Sequence, residues 1–304
     1  MKNGSDYKSP KQADGVRRWR FQVKAHHDQS IKMQEDFDPY QDFWHGLAQA
    51  FKENPFRKED PLIERLLEEF VECETIIDVG GGAGRFALPL SLEKEGITVV
   101  DSSKSMLEEL RECLREFGIE NVEIFQCRWE EAPSDVPVHD GALCAHVTYG
   151  IEDIETFISN VHGKTLDRVV VLSFMQSPQA HLGTLWELVH GQKRIHLPGV
   201  PELIRVLGDM GVTPSFSVLD TLGTVKYQSV EEALSDLCRR LYVSQGTSKE
   251  DRLVSALQSQ LYRVDKDLES RYELAGSGGR KMCLLSWTPP MCGSNGVDPG
   301  QILN

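Results

Sequence analysis

The chain has 304 residues, 40% of them hydrophobic and 26% charged, and a formal net charge of −14. These proportions fit a globular protein of one large or two modest domains, and the acidic balance argues against a phosphate backbone as the main partner, because nucleic-acid binding leans on clustered Lys and Arg. An odd count of seven cysteines without a Cys-x-x-Cys pair, a polar N-terminus and no apolar run of membrane-spanning length weigh against a disulfide framework, a zinc site, secretion and a membrane segment, so a cytoplasmic protein with reduced thiols is expected.

In chain order, residues 1–30 are polar with little periodicity and predict a disordered or loosely packed start. His26-His27-Asp28 reads as solvated surface, since adjacent side chains point apart. Residues 31–74 predict a helical N-terminal cap: Tyr40, Phe43, Trp44, Leu47 and Phe51 share one helical face, and Asp60-Pro61 opens a further helix as cap and first-turn proline. Tyr40 and Trp44 are candidates to face a substrate. The β-branched run over 75–79 predicts a buried strand, followed at once by glycines 80, 81, 82 and 84 and a helix over 85–95 that Pro89 should kink. A second strand over 96–100 ends in Asp101, and a helix over 105–117 stops at Gly118.

Further strands are predicted over 122–126, 141–145, 168–174, 216–226 and 282–287, with helices over 151–161 and 200–210. Residues 178–198 look like an insertion. Residues 229–275 form a second, too long for an unstructured loop, with helical spacing over 230–243 and 251–268 and a flexible glycine-rich return over 273–280. Residues 291–304 read as a flexible tail. Alternating strands and helices, with mostly continuous apolar strands, indicate a parallel sheet covered on both faces.

The strand, glycine turn and helix N-terminus beginning at Thr75 suit an anionic group, because free N–H groups point outward there. Asp101 follows Asp78 by 23 residues, near the spacing at which an acid takes a ribose hydroxyl pair. A nucleotide-type cofactor is implied. The dinucleotide fingerprint needs glycine in the sixth place of its turn, where Arg85 stands, and this weighs against an NAD-type oxidoreductase.

Gly80-x-Gly82-x-Gly84 preceded by Asp78, with Asp101 at the next strand's end, resembles the first motif of the class I S-adenosylmethionine-dependent methyltransferases. Ser102-Ser-Lys-Ser-Met106 is similar to their segment beside the adenine. The resemblance implies an α/β fold over 75–290: a Rossmann-like, doubly wound, seven-stranded, mostly parallel sheet, here with a helical N-terminal cap and a helical insertion between the last two strands. It implies S-adenosylmethionine as cofactor, with the amides of Gly80, Gly81 and Gly82 on its carboxylate and Asp101 on its ribose, while Asp78 anchors the turn. Ser102 and Met106 would flank the adenine.

Family members often carry an acid just after the third strand; Arg128 stands there, so backbone groups of Arg128 and Trp129 would serve, with Trp129 either stacking on the adenine or packing in the core. Cys144, His146 and Tyr149 fall at the end of the fourth strand, beside the transferable methyl in this fold. His146 would act as general base, orient substrate or line the wall, with Tyr149 the second catalytic candidate; Cys144 reads as packing or cofactor contact. His181 and His196 are candidates to line the substrate pocket, and their spacing forms no metal cluster. The expected partner is a small-molecule methyl acceptor, since the nucleic-acid amino-methyltransferase and protein-arginine methyltransferase signatures are absent. A non-catalytic cofactor binder on the same fold is the alternative.

Overall fold

The structure, a computed structural model, describes residues 14–34, 52–57, 60–132, 134–266 and 269–290. In chain order the first half runs α1 (Asp14–Met33), α2 (Pro61–Glu69), β1 (Thr75–Val79), α3 (Ala87–Ser91), β2 (Gly96–Asp101), α4 (Lys104–Phe117), β3 (Val122–Gln126), β4 (His139–Ala145), α5 (Ile154–Gly163) and β5 (Thr165–Phe174). The second half runs α6 (Gly183–His190), α7 (Val200–Asp209), β6 (Ser215–Leu222), β7 (Lys226–Tyr227), α8 (Val230–Arg240), α9 (Ser248–Gln260), β8 (Leu261–Lys266), β9 (Glu269–Leu274) and β10 (Arg280–Trp287).

Seven strands form one sheet in the order β3-β2-β1-β4-β5-β10-β6. β1 lies parallel to both β2 and β4, and β2 parallel to β3. The order reverses between β1 and β4, which is where open α/β sheets collect ligands outside the carboxyl ends of their strands. The sheet is mostly parallel, as expected, and β10 enters it between β5 and β6. No described helix is long and apolar enough to cross a membrane.

Contacts divide the chain into two units, each drawn from three stretches: Asp42–Ala145, Thr156–Val171 and Ser286–Asn304 in one; Met1–Gln41, His146–Glu155 and Leu172–Leu285 in the other. In the unit that holds β1, Ile76, Ile77, Val79 and Val99 are buried with Leu66 and Phe70 of the α2 region. A Cβ on Gly141 would lie 2.8 Å from the Phe70 ring, so the bare glycine lets Phe70 close on β4. Asp60 caps α2 through the Leu62 amide at 3.0 Å with Pro61 in the first turn, and Ser103 caps α4 through the Met106 amide at 3.2 Å; such caps contribute ~1 kcal/mol each. α3 is shorter than the expected 85–95, because Gly84 at φ +83° holds the chain in the turn and Pro89 supplies no amide hydrogen.

Three expectations are corrected in the other unit. Residues 14–30, expected to be disordered or loosely packed, lie in helix α1, whose Val16, Trp19 and Val23 are buried. Its first-turn amides, of Gly15 and Val16, donate to Asp209 Oδ2 at 2.7 and 3.2 Å, and the Trp19 indole donates to the Ile151 carbonyl at 2.7 Å. No side chain fits at Gly15, where a Cβ would lie 2.7 Å from that Asp209 oxygen.

The second correction is at 251–268: the helix ends at Gln260, and Leu261–Lys266 is a strand paired antiparallel with β9, which pairs in turn with β7. Third, the return expected to be flexible from 273 begins inside strand β9. The two insertions pack together, with Leu185, Trp186 and Val189 of α6 in one core with Leu237 of α8 and Leu253 and Leu257 of α9. Tyr40 and Trp44 lie outside the described residues, as does the expected tail at 291–304.

Candidate active site

In the unit built on β1, Gly80, Gly82 and Gly84 take φ of +75°, +55° and +83°, which glycine adopts without the steric cost of a side chain. The Gly80 amide donates to the Val100 carbonyl at 2.7 Å, tying the turn to the end of β2. The Gly82 amide donates to Asp101 Oδ2 at 3.0 Å and the Ser103 amide to Asp101 Oδ1 at 2.8 Å. Asp101 is thus oriented by the backbone at the end of β2. A Cβ on Gly81 would lie 2.7 Å from Asp78 Oδ2, and one on Gly82 would lie 2.7 Å from Met106 Cε. The cradle therefore tolerates no side chain at either place. Arg85 is fixed by an ion pair with Glu53, while Arg57 donates to the Arg85 carbonyl at 2.8 Å.

Beneath this turn Asp78 is 1% exposed, and neither carboxylate oxygen has a hydrogen-bond partner among the described residues. It contacts the turn without hydrogen-bonding to it. Burial, and after it the charge of Asp101, push its carboxyl up to about 7. A positive charge bound on the turn would favour the ionised form. The bare glycine turn, the oriented Asp101 and the unpartnered Asp78 together fit S-adenosylmethionine, which offers a ribose and positive charge; the Gly80 and Gly82 amides, expected on its carboxylate, are instead spent on the Val100 carbonyl and Asp101.

On the adenine side, Ser102 is exposed and Met106 packs on Ala83. The Arg128 side chain is 65% exposed, within 3.8 Å of Glu130 and 4.0 Å of Glu131. Trp129 is 5% exposed, and its indole donates to the Phe157 carbonyl of α5 at 3.2 Å, which is the packing arrangement. Cys144 is fully buried, and burial followed by Asp78 pushes its thiol pKa up, so it is an inert core residue.

In the other unit His146, the first residue after β4, has φ +57°, a conformation uncommon outside glycine and often retained at functional positions. Its Nδ1 lies 3.1 Å from Tyr149 Oη, and its ring stacks on Phe174 with centroids 4.9 Å apart. Tyr149 Oη accepts from the Phe174 amide at 2.7 Å, and burial above all pushes its hydroxyl up to about 12. Tyr149 is therefore a proton-bearing orienting group at neutral pH. Phe174, unnoticed in sequence, is the platform of this cluster, and the Arg280 guanidinium lies 5.8 Å from the centre of its ring.

His181 is half-buried with Nδ1 unpartnered among the described residues; burial and then Arg280 push its pKa down to about 4. The His196 ring lies where a Cβ on Gly183 would approach to 3.1 Å. The reading of His26 as solvated surface is corrected: its Nδ1 sits 2.6 Å from the Ile195 carbonyl and its Nε2 2.9 Å from Arg194, which joins α1 to the 193–196 loop. Adjacent histidines do diverge, but a loop 169 residues downstream meets one of them.

Residues 76–165 match a family described as a methyltransferase domain. An uncharacterised protein of Haemophilus influenzae is 26% identical over 197 residues, 64% of this chain and 72% of its own length. A ubiquinone biosynthesis O-methyltransferase of Rickettsia felis is 31% identical over 112 residues, 36% of this chain and 45% of that protein, so the chain spans under half of that relative's length. Shorter stretches match enzymes named ribosomal RNA small subunit methyltransferase G. The crystal structure of the YcgJ protein of Bacillus subtilis superposes with a TM-score of 0.50 at 16% identity, covering 76% of this chain and 100% of that one, and shows the shared fold.

Proposed function

We propose that the chain is a class I S-adenosylmethionine-dependent methyltransferase that passes a methyl group to a small-molecule acceptor. On this reading the chain is an enzyme with S-adenosylmethionine as its cofactor, supported by the methyltransferase-domain match over residues 76–165. The observation that carries the assignment of its site is the Gly80–Gly84 turn closing on Asp101 above the buried, unneutralised Asp78. When bound, the cofactor supplies a methyl group on positively charged sulfur, an electrophile that needs an oriented nucleophile and little water more than it needs a strong base. Asp101 would hold its ribose and Ser102 and Met106 its adenine side, while Gly80 and Gly82, whose amides are spent on Val100 and Asp101, would shape the turn that the carboxylate approaches at Gly81.

His146 and Tyr149 would meet the acceptor. The Phe174 amide and the Ser173 hydroxyl both serve Tyr149 Oη, which leaves the phenolic proton for His146 Nδ1. A proton held on Tyr149 Oη towards Nδ1 would make His146 an orienting group for an acceptor oxygen rather than the base that removes its proton. The net charge of −14 supports a small acceptor over a polyanion. The short matches to ribosomal RNA methyltransferases favour a second reading, an RNA acceptor.

Labelled methyl transfer from S-adenosylmethionine to a panel of phenols, carboxylic acids, amines and thiols, run beside deproteinised ribosomal RNA, separates the two. Labelling of RNA alone would sink the small-molecule reading. Calorimetry with S-adenosylmethionine and NAD tests the site itself, since binding of NAD alone would remove its basis.

A further inference from the structure

We infer that the methyl acceptor carries an anionic group, a carboxylate or a phosphate, and that Arg280 is the residue that receives it. The inference rests on the reading that a small-molecule acceptor meets His146 and Tyr149.

Arg280 opens β10, and its guanidinium lies 5.8 Å from the centre of the Phe174 ring, the same ring on which His146 stacks at 4.9 Å. One aromatic side chain thus connects the candidate catalytic pair to a cation. That cation is poorly served by the protein. Its Nε donates to the Ser277 carbonyl at 3.0 Å, no acceptor meets its Nη groups among the described residues, and no described carboxylate lies within ion-pair distance of it.

The acid that faces this region, Asp236, is committed elsewhere. It pairs with Arg239 and Arg240 at 2.7 Å each and accepts from Tyr227 Oη at 3.0 Å. Arg240 adds a like charge that, after burial, pulls the Arg280 pKa down. His181, whose Nδ1 has no partner among the described residues, senses the same positive field.

A half-buried guanidinium beside a second cation is costly unless something of opposite sign completes it. Arg offers a planar fork of donors that matches carboxylate and phosphate geometry. Planar bidentate recognition of an anionic substituent would also hold the rest of the acceptor in one orientation against Phe174 and His146, which is what in-line transfer needs.

The test uses the full chain saturated with S-adenosylhomocysteine and three calorimetric probes: benzoate, phenyl phosphate and neutral benzamide. At least one anionic probe should bind tenfold or more tightly than benzamide, and the tighter of the two identifies the anion. Arg280→Gln should abolish the preference with S-adenosylhomocysteine affinity unchanged, and Arg280→Lys, which keeps the charge, should retain part of it. Equal binding of the charged and neutral probes, or a preference that survives in Arg280→Gln, overturns the inference and leaves the small-molecule reading standing. Binding of none of the three probes while S-adenosylhomocysteine binds normally overturns both.

Discussion

Replacing Asp78 by Asn should stabilise the cofactor-free protein and weaken its hold on the cofactor. The carboxyl moves from an ordinary 3.8 to about 7 because it is buried without a partner and faces Asp101. The folded chain therefore binds this proton more tightly than the unfolded chain does. The contribution of Asp78 to stability is greatest at acid pH, falls as pH rises from 3.8 towards about 7, and is level above that.

By linkage the ionised group costs roughly 1–2 kcal/mol near pH 5 and on the order of 4 kcal/mol at pH 8, the larger figure being an upper bound. Asn keeps the shape and cannot ionise. Urea unfolding of both proteins without cofactor should show a gain for Asp78→Asn that is at least twice as large at pH 8 as at pH 5. The same substitution should weaken S-adenosylmethionine binding at pH 8, because the negative charge facing the positively charged ligand is gone. A stability difference independent of pH, or a loss of stability at pH 8, would refute the account of Asp78 as a buried ionisable group.

Asp101→Ala removes the acceptor of the Gly82 and Ser103 amides as well as the proposed ribose contact; at about 1.5–3 kcal/mol for a charged hydrogen bond, cofactor affinity should fall roughly 10- to 100-fold, and unchanged affinity in calorimetry would end the ribose assignment. Gly81→Ala places a methyl group 2.7 Å from Asp78 Oδ2; a melt should show destabilisation of about 1–3 kcal/mol with cofactor binding lost, and wild-type behaviour in both would mean that the turn is not the cradle. Tyr149→Phe leaves the Phe174 amide without its acceptor and removes the Tyr149 hydroxyl from His146 Nδ1. It should cost about 1–3 kcal/mol and lower kcat with little change in cofactor affinity; an unchanged kcat would exclude the pair from catalysis.

The glycine turn is legible because its parts are dictated locally: three left-handed positions need glycine, and Asp101 follows at the end of the next strand. Trp129 was left open between stacking and packing, since its partner, the Phe157 carbonyl, sits 28 residues away in sequence. Helix α1 was missed because Val16, Trp19 and Val23 are few among Arg, Lys, His and Gln, and because what holds them, Asp209 and Ile151, carries no local signal. Beyond Gln260, Leu261 and Val264 fit a helix or a strand equally, and pairing with Glu269–Leu274 decided the matter. Arg280 beside Phe174 was invisible for the same reason: two ordinary residues meet through the sheet, far apart in the chain.

The attachment of α1 has a consequence for synthesis. Its N-terminal amides are served by Asp209, 194 residues downstream of Gly15. At about 5–20 residues per second, roughly 10–40 s separate the making of this helix from the making of its seat. Trp19 waits 132 residues for its Ile151 acceptor, while the strands and helices between it and α7 become available to fold. The first described helix is thus among the last to be capped, and a ribosome stalled before Asp209 would present it as a ready target for chaperones.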